Sequence, residues 1–385
     1  MKVSTLFRRG EKFLVLEVGG EHTRGVLLAV NREKHVRPKK VWDDFSWQKL
    51  LRTDERLNVG GFFLNLKKTP VIVSVDSGSA STTLVPLSLR RKKSDGPLIP
   101  EELEHFLTLS LERKFNELRK DASAKLSVDE LDAVLISTRV LGVSVDGRDT
   151  VNPIGIASQK IEMLLELVFS SRHAFDIVNA VAANGGKFFV TESGKSALAC
   201  IAKAHGTERD TAVFDDATRR MFQWSSDRVP PLRRTDMAWT SKQFVSNLCE
   251  AWSLSEHAGN SLYHRYLAGD ISEKAAKFFD RVLTPHADAL FQELSRRGAR
   301  GVVYLASARA LPYDFPVRKQ GMTVHRLPYE QVIASLGFSI DTEEWQTPLK
   351  ETFQYTLAPF FEFYYDNSDM HLTRWLHRRI HWLAP

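Results

Sequence analysis

Val143–Glu162 reads VSVDGRDTVNPIGIASQKIE, and its turn chemistry decides how the flanking segments are connected. Asp146-Gly147 closes an apolar run with a pair suited to a tight turn. Pro153 fixes its own φ and pushes Asn152 out of the helical region. Gly155 frees the backbone to swing into the next segment. The stretch therefore predicts a strand, a turn, a short link and a second strand beginning after Gln159. An ordinary loop between two strands would use the same residues, so the neighbours carry the decision.

Upstream, Glu130–Val145 reads as the strand that enters the turn. Before it, Leu98–Ala122 reads as a helix, with Pro100, Glu101 and Glu102 in its first turn. Leu103, Phe106, Leu107, Leu109, Leu111 and Phe115 form its apolar face. Downstream, KIEMLLELVFSS is a strand, and a helix starts near Arg172 and stops at Gly185-Gly186. Phe13–Val30 reads as two apolar strands around Gly19 and Gly20, and residues 60–87 repeat the idea around Asp76-Ser77-Gly78-Ser79. TAVFDDATRRMFQW, 211–224, reads as another hairpin. Residues 240–296 read as helical, with short strands at 301–306 and 323–328. No internal repeat is evident, and the order of elements indicates an α/β or α+β multidomain chain.

With 385 residues, the chain is long enough for two or three domains. The excess of 53 basic over 47 acidic residues is mild and gives no nucleic-acid signature. Two cysteines, Cys200 and Cys249, lack metal-ligand spacing and argue against a disulfide framework. The histidines have no paired ligand pattern, so no metal is assigned. No apolar window is long enough to span a membrane, and the start of the chain does not read as a signal peptide. The run Arg90–Lys93 reads as a solvated loop at a strand end.

VSVDGRDTVNPIGIASQKIE, followed by AFDIVNAV, resembles the corresponding stretch of the FtsA family of actin-like cell-division proteins and, less closely, the PilM family of the type IV pilus machine. The resemblance implies an α/β, actin-like (ribonuclease H-like) two-domain fold with an inserted 1C (SHS2-type) subdomain and a reduced 2B subdomain. The implied layout is subdomain 1A over residues 1–84 and 183–210, with 1C over 85–182. Subdomain 2A follows over 211–240 and 297–365, around a helical 2B-like region at 241–296, and an amphipathic tail covers 366–385. The implied function is that of a polymerising adaptor that tethers FtsZ, through its C-terminal peptide, to the membrane at the division site. Self-association would run through 1C. The alternatives are a PilM-like cytoplasmic adaptor of a pilus or secretion platform and an active actin-like ATPase.

The resemblance also implies where ATP with Mg would sit. Gly19, Gly20, His22 and Thr23 lie on the first phosphate hairpin, Asp215 and Thr218 on the second, and Ala306 and Ser307 at the adenosine motif. The sequence departs from the family at each place. Glu17 stands where Asp is usual. Asp215-Asp216-Ala217-Thr218-Arg219-Arg220 has lost every glycine of the second hairpin, and side chains there obstruct backbone approach to a phosphate. Asp215 could still hold a magnesium water and the arginines could pair with phosphate, or the hairpin could persist as scaffold. No residue is placed to activate a water, so no enzyme activity is expected.

The chain finishes on HLTRWLHRRIHWLAP. On a helical wheel Leu372, Trp375, Leu376, Ile380, Trp382 and Leu383 span an arc of about 160°. Arg374 and Arg378 lie opposite, and Arg379 falls inside the arc and must snorkel. Such a helix suits an anionic membrane surface, as the FtsA resemblance also implies. A terminal helix packed on its own protein would read the same way.

Overall fold

The computed structural model describes residues 11–19, 23–43, 56–59, 62–65, 68–92, 95–183, 187–206, 210–225, 231–307, 309–312, 315–340 and 353–365. The chain has α/β architecture built on two six-stranded sheets. The first contains β1 (Glu11–Val18), β2 (Thr23–Val30), β3 (His35–Trp42), β6 (Val71–Val75), β11 (Phe188–Glu192) and β18 (Ser339–Ile340). A separate two-stranded ribbon joins β4 (Arg56–Val59) to β5 (Phe62–Asn65). The second sheet contains β12 (Thr211–Asp215), β13 (Arg220–Trp224), β14 (Leu232–Asp236), β15 (Gly301–Ala306), β16 (Val317–Lys319) and β17 (Met322–Arg326).

Strand order and direction repeat between the two. The first sheet runs β3-β2-β1-β6-β11, with β1, β6 and β11 parallel and the hairpin antiparallel. The second runs β14-β13-β12-β15-β17 with the same directions. This duplicated ribonuclease-H-like plan is the actin-like fold expected from the resemblance. The repeat lies in topology and not in residue identities, which is why it is invisible in the sequence.

The central strands read as near-continuous apolar runs because both faces of each sheet are covered. In β1, Phe13 and Val15 face one core, and Leu14, Leu16 and Val18 face the other. The layer between the sheets holds α3 (Ser193–His205), α7 (Tyr329–Ser335) and α8 (Leu357–Tyr364). Beyond the first sheet lies α2 (Arg172–Ala183), through Ala174, Ile177, Val178 and Val181. Beyond the second lie α4 (Lys242–Trp252), α5 (Glu256–Leu267) and α6 (Glu273–Arg296). Residues 237–300 contain helices and no strand.

A four-stranded antiparallel sheet interrupts the crossover from β6 to β11. It orders β7 (Ala80–Arg90), β10 (Lys160–Ser170), β8 (Val134–Val145) and β9 (Arg148–Thr150). The helix α1 (Pro100–Leu126) covers one face through Leu103, Leu107, Leu111 and Phe115. The opening stretch behaves as its chemistry dictates. Asp146 and Gly147 both take positive φ at the β8–β9 turn. The Asp146 carboxylate accepts from the backbone amides of Gln159 (3.1 Å) and Lys160 (2.8 Å) and so fixes the start of β10. Gly155 sits at φ +84 and donates to the Leu98 carbonyl across 2.8 Å.

Three expectations need correction. The insert begins at Ala80 rather than residue 85, and α2 packs beneath the first sheet as well as against the insert. Residues at the end of the expected 297–365 unit serve the first half, since β18 pairs with β3 and α8 packs in the layer against β1. Arg91 is not in a solvated loop. Its side chain is 1% exposed and it grips Glu102 at 2.7 and 2.8 Å. It also donates to the carbonyls of Gly96 and Ser158, pinning β7 to α1 and to the loop before β10.

Candidate functional site

In open sheets with parallel strands, ligands meet the carboxyl ends of the strands at the switch points in strand order. Here those ends carry Glu17 on β1, Asp76 after β6, Asp215 and Asp216 on and after β12, and Ser307 after β15. Each acid is already engaged. Asp76 accepts from the backbone amides of Gly78 and Ser79, which makes its turn self-contained. Asp216 accepts from the Ser241 amide at 2.8 Å and from the hydroxyls of Ser241 and Ser307.

Asp215 is fully buried. Its carboxylate accepts from the Ala217 amide (3.1 Å), the Thr218 hydroxyl (2.7 Å) and the side-chain amide of Gln354 (3.0 Å). Burial pushes its carboxyl up to about 6, against the pull of those hydrogen bonds. At the first hairpin, Thr356 donates its hydroxyl to Glu17. Burial also pushes the Glu17 carboxyl up to about 6, with Thr356 and Arg24 opposing. Between these contacts sits Tyr355. Burial raises its phenol, and the neighbouring Asp215, Asp76 and Glu17 raise it further.

Residues 353–356 therefore run between the two acidic strand ends, where an actin-like cleft would take phosphates. The residues present do not fit ATP with Mg. The second hairpin offers no glycine, and its turn passes through Arg219 at φ +55. The Arg220 guanidinium pairs with Asp236 across the β13–β14 ladder at 3.1 Å. Of the expected cofactor residues, the structure brings Asp215 and Thr218 together, and Asp216 ties their turn to Ser307. Ala306 is buried beside Asp215 in the ladder. Thr23 pairs with Val18 at the closed end of the β1–β2 ladder, and Gly19 follows Val18 there. Gly20 and His22 lie outside the described residues, as do all of the expected membrane-binding residues from Leu372 to Leu383.

A second polar centre lies at the β11–α3 junction, Thr191–Ser196. Glu192, fully buried, accepts from the Thr82 amide (2.7 Å) and from Arg234 of β14 (3.1 Å). Burial raises its carboxyl, and Arg234 and Thr82 counter this. Arg234 also donates to the carbonyls of Ser77 (2.7 Å) and Ala80, so the second half reaches the root of the insert. Lys195 pairs with Glu166 and Glu362, and Arg139 pairs with the same two acids at 2.7 and 2.5 Å. Ser196 and Thr191 donate to Glu362 at 2.5 and 3.0 Å. Burial opposes ionisation of Glu362, but Lys195 and Arg139 outweigh it and hold the carboxyl well below its usual range. Gly194-Lys195-Ser196 opens a helix after a strand, the setting of a phosphate-binding loop. Here the lysine is consumed by two carboxylates, and Phe222 lies against Gly194.

Gln354, Tyr355, Thr356 and Glu362 do not emerge from the sequence reading as site residues. A signal for Glu362 existed. It is the lone charge in the apolar run Leu357–Tyr365, and a buried charge demands partners. The polar residues at 354 and 356 carried no local signal, because their partners lie in distant segments.

No family model matches this chain, and no curated protein sequence matches it. Solved structures do show similarity. A PilM-PilN type IV pilus biogenesis complex matches at 14% identity and a TM-score of 0.45, covering 90% of this chain and 98% of that one. The cytoplasmic domain of EpsL, an inner membrane component of the type II secretion system of Vibrio cholerae, matches at 12% identity and a TM-score of 0.27, covering 62% and 75%. A protein of Bacteroides thetaiotaomicron with an actin-like ATPase fold and unknown function matches at 7% identity and a TM-score of 0.32, covering 80% and 86%.

Proposed function

We propose that this chain is a nucleotide-independent, actin-like adaptor of the kind found in pilus and secretion platforms, holding a protein partner at the cytoplasmic face of a membrane-bound machine. The observation that carries this reading is the run Phe353–Thr356, whose side chains bind Asp215 and Glu17 from within. A cleft filled by its own chain has no need of a phosphate to hold its halves together. On this reading the chain is not an enzyme and takes no cofactor. The four-stranded unit corresponds to the 1C insert, and the α4–α6 layer stands in place of a 2B subdomain.

The pilus or secretion reading is preferred to an FtsZ tether because α8 is tied down just before the tail begins. The Tyr365 hydroxyl donates to the Leu336 carbonyl, and Lys203 lies over its ring at 4.0 Å. Among the described residues no helix is long and apolar enough to cross a membrane. The FtsZ tether remains the second reading, favoured by the basic, tryptophan-bearing tail.

Co-sedimentation with anionic vesicles separates the two, comparing the full chain with one ending at Asp369. Equal recovery in the supernatant supports the platform adaptor. Salt-sensitive pelleting of the full chain alone supports the tether and overturns the preference. Measurable MgATP hydrolysis by the intact chain would overturn both.

A further inference from the structure

One segment touches both acidic strand ends and the four-charge joint. At its start, Gln354 holds Asp215 of the second half and Thr356 holds Glu17 of the first. Its middle is fully packed, with Leu357, Ala358, Phe360 and Phe361 no more than 1% exposed. Cys200 of α3 donates to the Ala358 carbonyl there at 3.2 Å. Near its end, Glu362 binds Arg139 of β8, and Lys195 joins Glu362 to Glu166 of β10. Those two strands belong to the insert, so the segment whose start fills the cleft also seats the insert through its helix. A packed interior does not deform gradually, and displacement at one end of a rigid helix is passed to the other.

We propose that Phe353–Tyr365 is a strap that couples the cleft to the insert, so that releasing the Asp215 and Glu17 contacts unseats the four-stranded unit, and unseating that unit loosens the two hairpins. The coupling rests on the reading that the cleft takes the chain's own segment in place of a nucleotide. It goes beyond that reading by giving the filled cleft a task. A partner that grips the insert changes the fit of the two halves, and any event at the segment following Tyr365 is felt at the insert. Coupling between two sites is reciprocal, so each end must respond to the other by a similar factor.

Hydrogen exchange on the intact chain tests this with two variants. Gln354→Leu with Thr356→Val removes both cleft donors while keeping bulk. Exchange in the insert at 134–140 and 164–170 is expected to rise about 5-fold or more. Glu362→Gln weakens the other end. Exchange in the hairpins at 13–18 and 213–222 is expected to rise by a similar factor. The outer layer α4–α6, which neither variant touches, is expected to stay unchanged. Effects confined to the mutated end, or shared equally by α4–α6, would overturn the strap. Should the double variant not fold, Thr356→Val alone is read in the same way, with Thr356→Ser expected to restore wild-type exchange. Binding of MgATP to the same samples is measured separately by calorimetry. Binding with the long-range effects intact would remove the nucleotide-free reading and leave the strap standing.

Discussion

Gln354 donates its side-chain amide to Asp215 across 3.0 Å, joining the last stretch of the first half to the end of the second half's central strand. The resemblance would set that carboxylate on a ligand, yet it faces a glutamine from its own chain. The contact is buried on both sides, so it is not traded freely for water. MgATP added to the intact chain is therefore expected to leave the thermal midpoint unchanged. A ligand that bound only the native state would raise stability by RT ln(1 + [L]/Kd), about 2.7 kcal/mol at a hundredfold excess over Kd. A midpoint that climbs with MgATP concentration would contradict the filled cleft.

The two cleft acids give the fold a pH dependence of unusual sign. Glu17 and Asp215 both sit at about 6, above their ordinary values, because burial disfavours their charged forms. A carboxyl that binds protons more tightly when folded makes stability fall as pH rises through the window between its unfolded and folded values, and flat above it. Each contributes on the order of 2–3 kcal/mol over that window. Glu362 works in the opposite sense, since its lowered value adds stability that is lost as pH falls through the acid range. The two cleft acids thus contribute a midpoint that rises as pH is lowered from about 7 to about 5, which Glu192 reinforces and His286 and His325, their rings lowered by burial, oppose. Glu17→Gln with Asp215→Asn should flatten that slope. A double variant whose midpoint changes with pH just as the wild type's does would refute the assignment.

The four-charge joint is expected to punish single changes more than paired ones. Arg139, Glu166, Lys195 and Glu362 are each no more than 8% exposed, with two charges of each sign. Arg139→Met leaves an uncompensated buried carboxylate, which costs about 3–5 kcal/mol. Arg139→Met with Glu166→Leu leaves Lys195 paired with Glu362 and is expected to recover most of that loss. Denaturant midpoints for the wild type, both single variants and the double variant measure the coupling. Simple additivity of the two single losses would mean that the four groups do not act as one network.

The sequence exposed these features unevenly, for physical reasons. Val143–Glu162 was legible because Asp146, Gly147, Pro153 and Gly155 act through local backbone geometry, and its two expected strands formed where the turn chemistry put them, with β9 a short third strand in what read as the link. The central strands β1, β2, β6, β12 and β15 were legible as apolar runs, since burial on two faces leaves no polar alternation, whereas the polar outer strands β3, β14 and β16 were not read as strands. The duplication was not legible, because strand order is a property of pairing between distant segments. Arg91 looked like part of a solvated run and is among the most buried charges, since nothing local announces that Glu102 will fold back over it. The filled cleft was hidden for the same reason. Losing the glycines of the second hairpin suggested a weakened nucleotide site, but only the fold brings Gln354 and Thr356 to the two acids.

Gly194 provides a last check on how tightly the halves are fitted. It opens α3 in the first half, and a Cβ built there would lie 2.2 Å from the Phe222 ring of the second sheet and 2.8 Å from the Ser77 hydroxyl. Alanine would favour the helix by up to about 1 kcal/mol over glycine. Overpacking a filled interior costs about 1–3 kcal/mol, and the ring cannot retreat, because Phe222 is itself fully buried. The clash is expected to win, so Gly194→Ala should lower the denaturant midpoint. Phe222→Leu alone should also destabilise, by leaving a cavity. Combined, the two should be less harmful than their sum, since the smaller side chain vacates the space the new methyl group enters. If the losses simply add, the two halves are not in register at this point, and the junction that carries Glu192 and Lys195 is looser than its packing implies.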